Sequence, residues 1–271
     1  SLSKSHAHVT SSYAATWAWD FDNDGTIDST EQNPTFTYSS NGTYTVKLTV
    51  TNAAGSDDEV KYVTVDNVAP VPSADVASGF YNTDLTVNLT ATDNLDSNPT
   101  IYYTLDGSTP TTSSTLYTGP ISINNEGNTT LKFIAVDFTG NISNVIERIY
   151  TIDKTMPTAT VNPVGGTYSD IQAVTLTTTD INPTTTYYTT DGSNPQTSST
   201  RKKYTGPISI STTTTLKFYA VDAAGNPSPV YTKTYTINLA PADLRTETVT
   251  TNGNTATGIT NYPVSSIVKN Y

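Results

Sequence analysis

The chain has 271 residues and carries 24 acidic against 13 basic side chains, for a net charge of −11. This balance argues against a nucleic-acid partner, because binding phosphates requires clustered lysine and arginine, and it disfavours anionic membranes. Cysteine is absent, so disulfides and thiolate metal sites are excluded, and no apolar run reaches the ~18 residues that cross a membrane as a helix.

Threonine accounts for 56 residues, about a fifth of the chain. Its β-branched side chain suits half-exposed strands, whereas the helix formers leucine, glutamate, lysine and methionine are scarce. The composition therefore predicts an all-β protein, and the length allows two or three sandwich domains of ~100 residues each.

Both histidines of the chain, His6 and His8, lie in its first 16 residues. They share one face of an extended segment, but two ligands do not close a metal site, and a polar edge strand is the simpler interpretation. No Ser/His/Asp or Cys/His constellation can be assembled, and the turn carboxylates lack the burial that acid/base chemistry requires. We therefore predict that the protein is not an enzyme.

The segment "DFDNDGTIDSTE", residues 20–31, has the spacing of a calcium-binding loop. The predicted oxygen ligands are Asp20, Asp22, Asp24, Thr26 through its carbonyl, Asp28 and Glu31. The flanking "TWAW" and "PTFTY" are typical of strands, which excludes the helix-flanked EF-hand. Residues 1–66 hold nine carboxylates against three lysines, and a cation would relieve their repulsion. The alternative is a hairpin whose aspartates cap turns.

Four strands are predicted in the first segment: "TWAWDF" (16–21), "TFTY" (35–38), "TYTVKLTV" (43–50) and "EVKYVTV" (59–65). A sandwich of the immunoglobulin type places two strands before the strand that carries its buried tryptophan. Only 16 residues precede Trp17. We therefore expect the domain at 1–66 to lack its first strands.

Two internal repeats follow, predicted at 67–153 and 154–238. The stretch "YYTLDGSTPTTSSTLYTGPISI" from Tyr102 recurs as "YYTTDGSNPQTSSTRKKYTGPISI" from Tyr187, and "TLKFIAVDFTGNIS" recurs as "TLKFYAVDAAGNPS". The "DGS" and "GN" segments supply turns. By strand alternation, the inward side chains of the first repeat are Leu85, Val87, Leu89, Ala91, Ile101, Tyr103 and Leu105.

Through "YYT-x-DGS-x-P…YTGPI…LK-x-x-AVD-x-x-GN", residues 79–153 and 165–238 resemble the Ig-like C-terminal domain of chitobiase and β-hexosaminidase. Through "WAWDFDNDG" and "NPTFTYSSNGTYTVKLTVTNAAGS", residues 17–66 resemble a PKD-type Ig-like domain. The resemblance implies an all-β protein of tandem Ig-like sandwiches in an elongated rod, located outside the cell or on its surface. Such domains serve as spacers, adhesion modules or appendages of polysaccharide enzymes, and catalysis lies outside them.

The tail at 239–271 offers two strand-like runs, "TETVTT" and "PVSSIV", in 33 residues, too few to bury a core. We hypothesise that the tail of one subunit supplies the missing strands to the PKD-like domain of the next. The product would be a head-to-tail homo-oligomer, a filament or surface layer. The alternative is a monomeric stalk or adhesin, represented by an excerpt cut inside its first and last domains.

A carbohydrate-binding module is the rival class, suggested by the 18 tyrosines of the chain. Tyr102 and Tyr187 are expected to face outward, but a polysaccharide platform needs several coplanar exposed rings, and one per domain is few.

Four N-glycosylation sequons complete the candidate sites. They lie at Asn41, Asn88, Asn128 and Asn141. Asn88 is predicted on the solvent face of a strand and the other three in turns.

Overall fold

A computed structural model describes residues 14–239, and within that range every regular element is a β-strand. This confirms the all-β prediction, which rests on the abundance of β-branched residues. In chain order the strands are β1 (Thr16–Asp20), β2 (Gly42–Asn52), β3 (Gly55–Val65), β4 (Val71–Ala74), β5 (Gly79–Tyr81), β6 (Leu85–Val87), β7 (Leu89–Thr92), β8 (Thr100–Thr104), β9 (Thr115–Leu116), β10 (Ile121–Ile123), β11 (Gly127–Val136), β12 (Ile146–Ile152), β13 (Thr158–Asn162), β14 (Gly166–Tyr168), β15 (Gln172–Thr179), β16 (Thr184–Thr189), β17 (Lys202–Lys203), β18 (Ile208–Ile210), β19 (Thr214–Asp222) and β20 (Tyr231–Ile237).

The first three strands form one antiparallel sheet in the order β1-β2-β3. Trp17 pairs with Val50 and Trp19 with Leu48, and residues directly opposite in an antiparallel pair point to the same face. That face also carries Val46, which lies two residues from Leu48. Val46 and Leu48 are both buried. The sheet thus has one apolar face, built mainly by β1 and β2.

The predicted strand "TFTY" at 35–38 was wrong, because this segment joins no sheet. Its aromatic side chains pack instead against other aromatic rings of the domain. The ring of Phe36 stacks on Phe21 with centroids 4.4 Å apart, and Tyr38 stacks on Tyr44 at 4.0 Å. The Tyr38 hydroxyl also donates to the carbonyl oxygen of Phe21 at 2.8 Å. Side-chain stacking therefore fixes a segment whose composition is typical of a strand.

Each repeat folds into two layers with the same topology. In the first, a five-stranded sheet β5-β12-β11-β8-β9 faces two strand pairs, β4-β7 and β10-β6. In the second, the sheet β14-β20-β19-β16-β17 faces β13-β15-β18. The strand β15 occupies the place of β6 and β7, which are separate in the first repeat. The tandem sandwich prediction is confirmed.

One edge of each five-stranded sheet closes with a parallel pair. Strand β5 runs parallel to β12, with Gly79 opposite Tyr150, and β14 runs parallel to β20, with Gly166 opposite Tyr235. The first strand of each repeat, β4 or β13, therefore lies in the smaller layer, and the second, β5 or β14, lies in the larger sheet beside the last strand. This arrangement joins a strand from near the start of each domain to its last strand within one sheet.

The core of each repeat lies between its layers. In the first repeat Leu131, Phe133 and Tyr150 are fully enclosed, and Leu216, Phe218 and Tyr235 occupy the equivalent places in the second. The Tyr150 hydroxyl donates to the carbonyl oxygen of Val76 at 2.9 Å, and that of Tyr235 donates to Pro163 at 2.7 Å. Each buried hydroxyl is thus satisfied, as burial requires.

Strand alternation was correct for residues 85–91, where Val87 and Leu89 are buried and Thr86 and Asn88 are exposed. It was wrong for Leu105, which is exposed. Strand β8 ends at Thr104, so Leu105 lies in the turn that follows, where the two-residue period no longer determines which side chains point inward.

The predicted "DGS" turns are present in both repeats. Gly107 and Gly192 have φ of 79° and 75°, a conformation that glycine adopts without the steric cost of a Cβ atom. In the second repeat the side chains of Ser193 and Thr200, and then the backbone N–H of Ser193, donate to Asp191 and lower the pKa of that carboxyl to about 2. The turn aspartate is therefore ionised and fully engaged.

Candidate metal centres

The predicted calcium loop folds back on β1. The N–H of Trp19 donates to the carbonyl oxygen of Ser29 at 2.8 Å, and the N–H of Asp28 donates to the carbonyl of Trp19 at 2.8 Å. These bonds bring the two ends of the loop together. As a result Asp20, Asp22 and Asp28 each place a carboxylate oxygen within 4.8 Å of the others.

Two of these three carboxylates also cap the loop backbone. Asp20 accepts hydrogen bonds from the N–H groups of Asp24 at 3.2 Å and Gly25 at 2.9 Å. Asp28 accepts from the N–H of Phe21 at 2.7 Å. The capping role that the hairpin alternative assigned to these residues is therefore present, together with the convergence that a cation would need.

The carboxylates of two other predicted ligands, Asp24 and Glu31, lie outside this cluster. Asp24 accepts the N–H of Thr26 at 2.7 Å and so closes a turn of its own. Glu31 is exposed, and its backbone carbonyl, rather than its carboxylate, accepts the indole N–H of Trp19 at 3.0 Å. Of the five predicted carboxylate ligands the structure brings together Asp20, Asp22 and Asp28, and calcium at the loop stays a prediction.

Asp20 and Asp22 differ in how readily they ionise. Burial acts to raise the pKa of Asp20, but backbone N–H donors, Gly25 first, outweigh it and lower that pKa. The pKa of Asp22 is raised by desolvation and then by the negative charges of Asp24, Asp28 and Asp20. The loop thus holds one well-stabilised carboxylate beside another that its neighbours repel.

Two further aspartate clusters lie where one domain meets the next. In the first, carboxylate oxygens of Asp66, Asp93 and Asp137 lie within 4.8 Å of one another, and in the second those of Asp153, Asp180 and Asp222 do the same. Five of these six aspartates follow directly after a strand, and the sixth, Asp222, is the last residue of one. Sequence reasoning missed both clusters. The sequence carried a signal for them, because an aspartate recurs at three equivalent positions. These are the ends of "VTVD" and "YTID", of "ATD" and "TTD", and of the two copies of "AVD".

An asparagine links the two domains at each cluster. The side-chain amide of Asn141 donates to the backbone carbonyl of Asp66 at 3.1 Å and to the carboxylate of Asp137 at 2.8 Å. Asn226 does the same with Asp153 at 2.7 Å and Asp222 at 2.8 Å. The last residue of one domain is therefore tied to a turn of the next.

The four sequon asparagines have different environments. Asn41 and Asn88 are exposed. Asn128 is also exposed but lies in β11, so its assignment to a turn was wrong, and its side-chain oxygen accepts the Thr151 hydroxyl at 2.6 Å. Asn141 is half-buried and tied to Asp66. Glycosylation of the four remains a prediction, and at Asn141 it would compete with the link between domains.

The two tyrosines considered as a sugar platform are half-buried. Tyr187 stacks against Tyr219 with centroids 5.7 Å apart, and the guanidinium of Arg201 lies 4.9 Å from the centre of the Tyr187 ring. The ring face that a sugar would need is therefore covered. Tyr102 pairs with Leu116 on edge strand β9.

Several predictions concern residues beyond the part of the chain that the structure describes. His6 and His8 precede residue 14, and the proposed donor runs at 246–251 and 263–268 follow residue 239. Between residues 14 and 239, no helix is long and apolar enough to cross a membrane.

Comparison with known proteins gives two domain matches. The profile of the chitobiase/beta-hexosaminidase C-terminal domain matches residues 76–147 and 163–234, and that of the PKD domain matches residues 1–66. The two copies of the first profile together cover more than half of the chain. A search of curated protein sequences found no match.

Three solved structures illustrate the similarity. The three N-terminal domains of the bacteriophage RB49 highly immunogenic outer capsid protein are 10% identical, cover 84% of this chain and 89% of theirs, and give a TM-score of 0.40. The fibronectin(III)-like modules of Clostridium thermocellum CbhA are 14% identical over 62% and 95% of the two chains, with a TM-score of 0.35. Extracellular domains 3–5 of Drosophila OTK are 10% identical over 84% and 86%, with a TM-score of 0.33.

Proposed function

Because the chain belongs to the chitobiase/β-hexosaminidase C-terminal domain family, with a PKD domain ahead of its two copies of that domain, we propose that it is an extracellular structural protein that assembles head to tail. Domains of these types are typical of extracellular proteins, and in tandem they make a stalk or adhesin-like module. The matched domains are non-catalytic. In the proposed assembly, residues 242–271 of one subunit add strands to the sheet β1-β2-β3 of the next.

The three-stranded sheet of the PKD domain is the observation that carries this proposal. Within residues 14–239, β3 has a hydrogen-bonded neighbour on one side only, and such an unpaired edge can accept a strand from another chain. The outer edge of β1, in contrast, is already bridged at Trp19 by Ser29 of the acidic loop. The sheet also has an apolar face that includes Trp17, Trp19 and Leu48. Each repeat, in contrast, encloses a core between two layers.

The donor is argued from sequence. The runs "TETVTT" and "PVSSIV" are rich in β-branched residues, which favour strands. Donor and acceptor stand at opposite ends of the chain, so the contact is heterologous and does not close on itself in a dimer. Repetition of one such contact would build a filament.

The charge distribution favours the same arrangement. Residues 1–66 carry nine acidic and three basic side chains, whereas residues 154–238 carry four acidic and six basic ones. Head-to-tail joining would bring the basic repeat of one subunit towards the acidic PKD domain of another. Such complementarity increases association rates and selects against wrong partners.

Deletion of residues 242–271 should abolish assembly. We expect the purified full chain to form fibres or large species in negative-stain electron microscopy and sedimentation, and the truncated chain to remain monomeric. Adding a synthetic peptide of residues 242–271 to the truncated chain should raise the melting temperature of the PKD domain, because the peptide would fill the acceptor site. A monomeric full chain would contradict the proposal.

Two point variants in the tail separate strand donation from a general effect of truncation. In a donated strand, Val249 would face the acceptor and its neighbour Thr250 would face solvent. Val249→Asp should therefore reduce assembly strongly, while Thr250→Asp, with the same added charge, should assemble like the parent. Equal behaviour of the two variants would mean that the tail acts by another route, such as contacts of residues 1–13 with the same sheet.

For the acidic loop, we propose that Asp20, Asp22 and Asp28 hold a calcium ion at extracellular, near-millimolar concentration. Hard carboxylate oxygens are the ligands that calcium prefers. Asp22→Asn should reduce the calcium-dependent rise in the melting temperature of the PKD domain, measured against EDTA. Asp57→Asn, an exposed change in the same domain, is the control. Superimposable melting curves with calcium and EDTA would exclude the site.

A further inference from the structure

The cluster at the first domain junction combines residues from two domains. Asp66 follows β3, the last strand of the PKD domain, while Asp93 follows β7 and Asp137 follows β11 in the first repeat. One carboxylate oxygen from each lies within 4.8 Å of the other two. Any ligand held by all three would therefore join the PKD domain to the repeat.

Two oxygens of this cluster are buried without a partner. Asp66 is 8% exposed, and within the described residues its Oδ2 atom has no hydrogen-bond donor. The Oδ2 atom of Asp93 is also buried and also has no donor within the described residues. Desolvating a charged oxygen without a compensating contact is costly, so such atoms call for a ligand.

The remaining oxygens are held in place by donors. Oδ1 of Asp66 accepts the N–H of Val68 at 3.0 Å, and Oδ1 of Asp93 accepts the N–H of Leu95 at 3.1 Å. Both oxygens of Asp137 are likewise engaged by residues of its own turn, Asn141 among them. Asp66 and Asp93 are therefore each oriented through one oxygen, which leaves their other oxygen available to a ligand, whereas Asp137 is oriented through both.

The local charge is strongly negative. No ion pair among residues 14–239 involves Asp66, Asp93 or Asp137. Residues 67–153 carry nine acidic and two basic side chains, so the cluster lies between two acidic domains. Burial acts to raise the pKa of Asp137, but donors from Asn141 and Thr139 outweigh it and lower that pKa, which keeps this carboxyl ionised.

We propose that the cluster of Asp66, Asp93 and Asp137 binds a calcium ion that couples the PKD domain to the first repeat. A bridging water could donate to the two free oxygens but would leave three negative charges uncompensated. Calcium accepts carboxylate oxygens in flexible geometry and completes its shell with water, whereas zinc favours nitrogen and sulfur ligands and magnesium demands a strict octahedron. This site is separate from the acidic loop and does not depend on filament assembly.

At the second junction, the aspartate equivalent to Asp66 has no free oxygen. Both oxygens of Asp153 are satisfied, one by the N–H of Thr155 at 2.9 Å and the other by the side-chain amide of Asn182 at 2.6 Å. The repeat that follows carries more basic than acidic residues. The proposal is therefore confined to the first junction.

Calcium titration of the EDTA-treated full chain tests the proposal. We expect isothermal titration with CaCl₂ in 0.15 M NaCl, a concentration on the order of physiological ionic strength, to detect a junction site that Asp93→Asn weakens about tenfold or more. Asp66→Asn should have the same effect, since it supplies the other free oxygen. Asp22→Asn, in the acidic loop, and Asp57→Asn, an exposed control, should retain the junction site.

Thermal melting distinguishes loss of a ligand from damage to the fold. In EDTA, Asp93→Asn should melt at or above the parent temperature, because one of three repelling charges is gone. In calcium, the melting temperature of the parent should rise and that of Asp93→Asn should change little, so that the parent becomes the more stable of the two. Two results would overturn the proposal. One is that Asp93→Asn and Asp66→Asn bind calcium and melt as the parent does. The other is that the only calcium binding of the parent is the binding that Asp22→Asn removes.

Discussion

Replacing Phe133 with alanine is expected to lower the free energy of unfolding of the first repeat by about 3–5 kcal/mol. Phe133 is fully enclosed in the core, on the central strand β11 of the five-stranded sheet. Its removal costs the transfer free energy of the ring and leaves a cavity that the flanking strands cannot fill. Urea unfolding followed by far-ultraviolet circular dichroism should show an early transition for one domain.

The same chain supplies a control and an internal replicate for this variant. Phe138→Ala changes an exposed ring in the same repeat and should shift the free energy of unfolding by no more than about 0.5 kcal/mol. Phe218→Ala should destabilise the second repeat as much as Phe133→Ala destabilises the first, because the two rings hold equivalent places. Equal effects of Phe133→Ala and Phe138→Ala would contradict the assigned core.

Alkaline pH is expected to destabilise both repeats through Tyr150 and Tyr235. Burial raises the pKa of each to about 12, above the ordinary value of about 10. A raised pKa in the folded state means that the neutral hydroxyl contributes stability below pH ~10, which is lost as the pH rises towards ~12. The loss should be about 2 kcal/mol for each tyrosine, and melting temperatures between pH 8 and 12 measure it.

Phenylalanine variants identify the titrating groups. Tyr150→Phe should cost about 1 kcal/mol at neutral pH, because the carbonyl of Val76 loses its donor, and should flatten the alkaline loss for the first repeat only. Tyr62→Phe removes the hydroxyl of an exposed ring in the PKD domain and should leave both repeats unchanged. A profile that falls equally steeply in Tyr150→Phe would assign the alkaline transition to other groups.

Local patterns in the sequence were sufficient where structure depends on neighbours in the chain. Strand alternation located Val87 and Leu89 in the core, and glycine after aspartate located the turns at Gly107 and Gly192. The self-similar stretches from residues 102 and 187 predicted a shared topology. Each of these signals acts over a few residues or compares the chain with itself.

Other features depend on contacts that sequence spacing does not encode. The segment at 35–38 has strand composition, yet stacking of Phe36 and Tyr38 on other aromatic rings sets its path. Within the acidic loop, regular spacing predicted five carboxylate ligands, but Asp24 closes a turn of its own and only three carboxylates converge.

The junction cluster shows the same limit over longer distances. Its three members, Asp66, Asp93 and Asp137, come from the ends of three different strands. Only the order of strands in space brings them side by side. Repetition of the aspartates in both repeats was visible in the sequence, but their convergence required the fold.

The parallel pairs β5-β12 and β14-β20 bear on how each repeat would respond to pulling. The two strands of a pair run in the same direction, one near the start of its domain and one at its end. Tension applied between the ends of a domain would drag them in opposite directions along their length. Their hydrogen bonds would then be loaded together in shear rather than opened one by one, which makes this edge of each sheet a mechanical clamp.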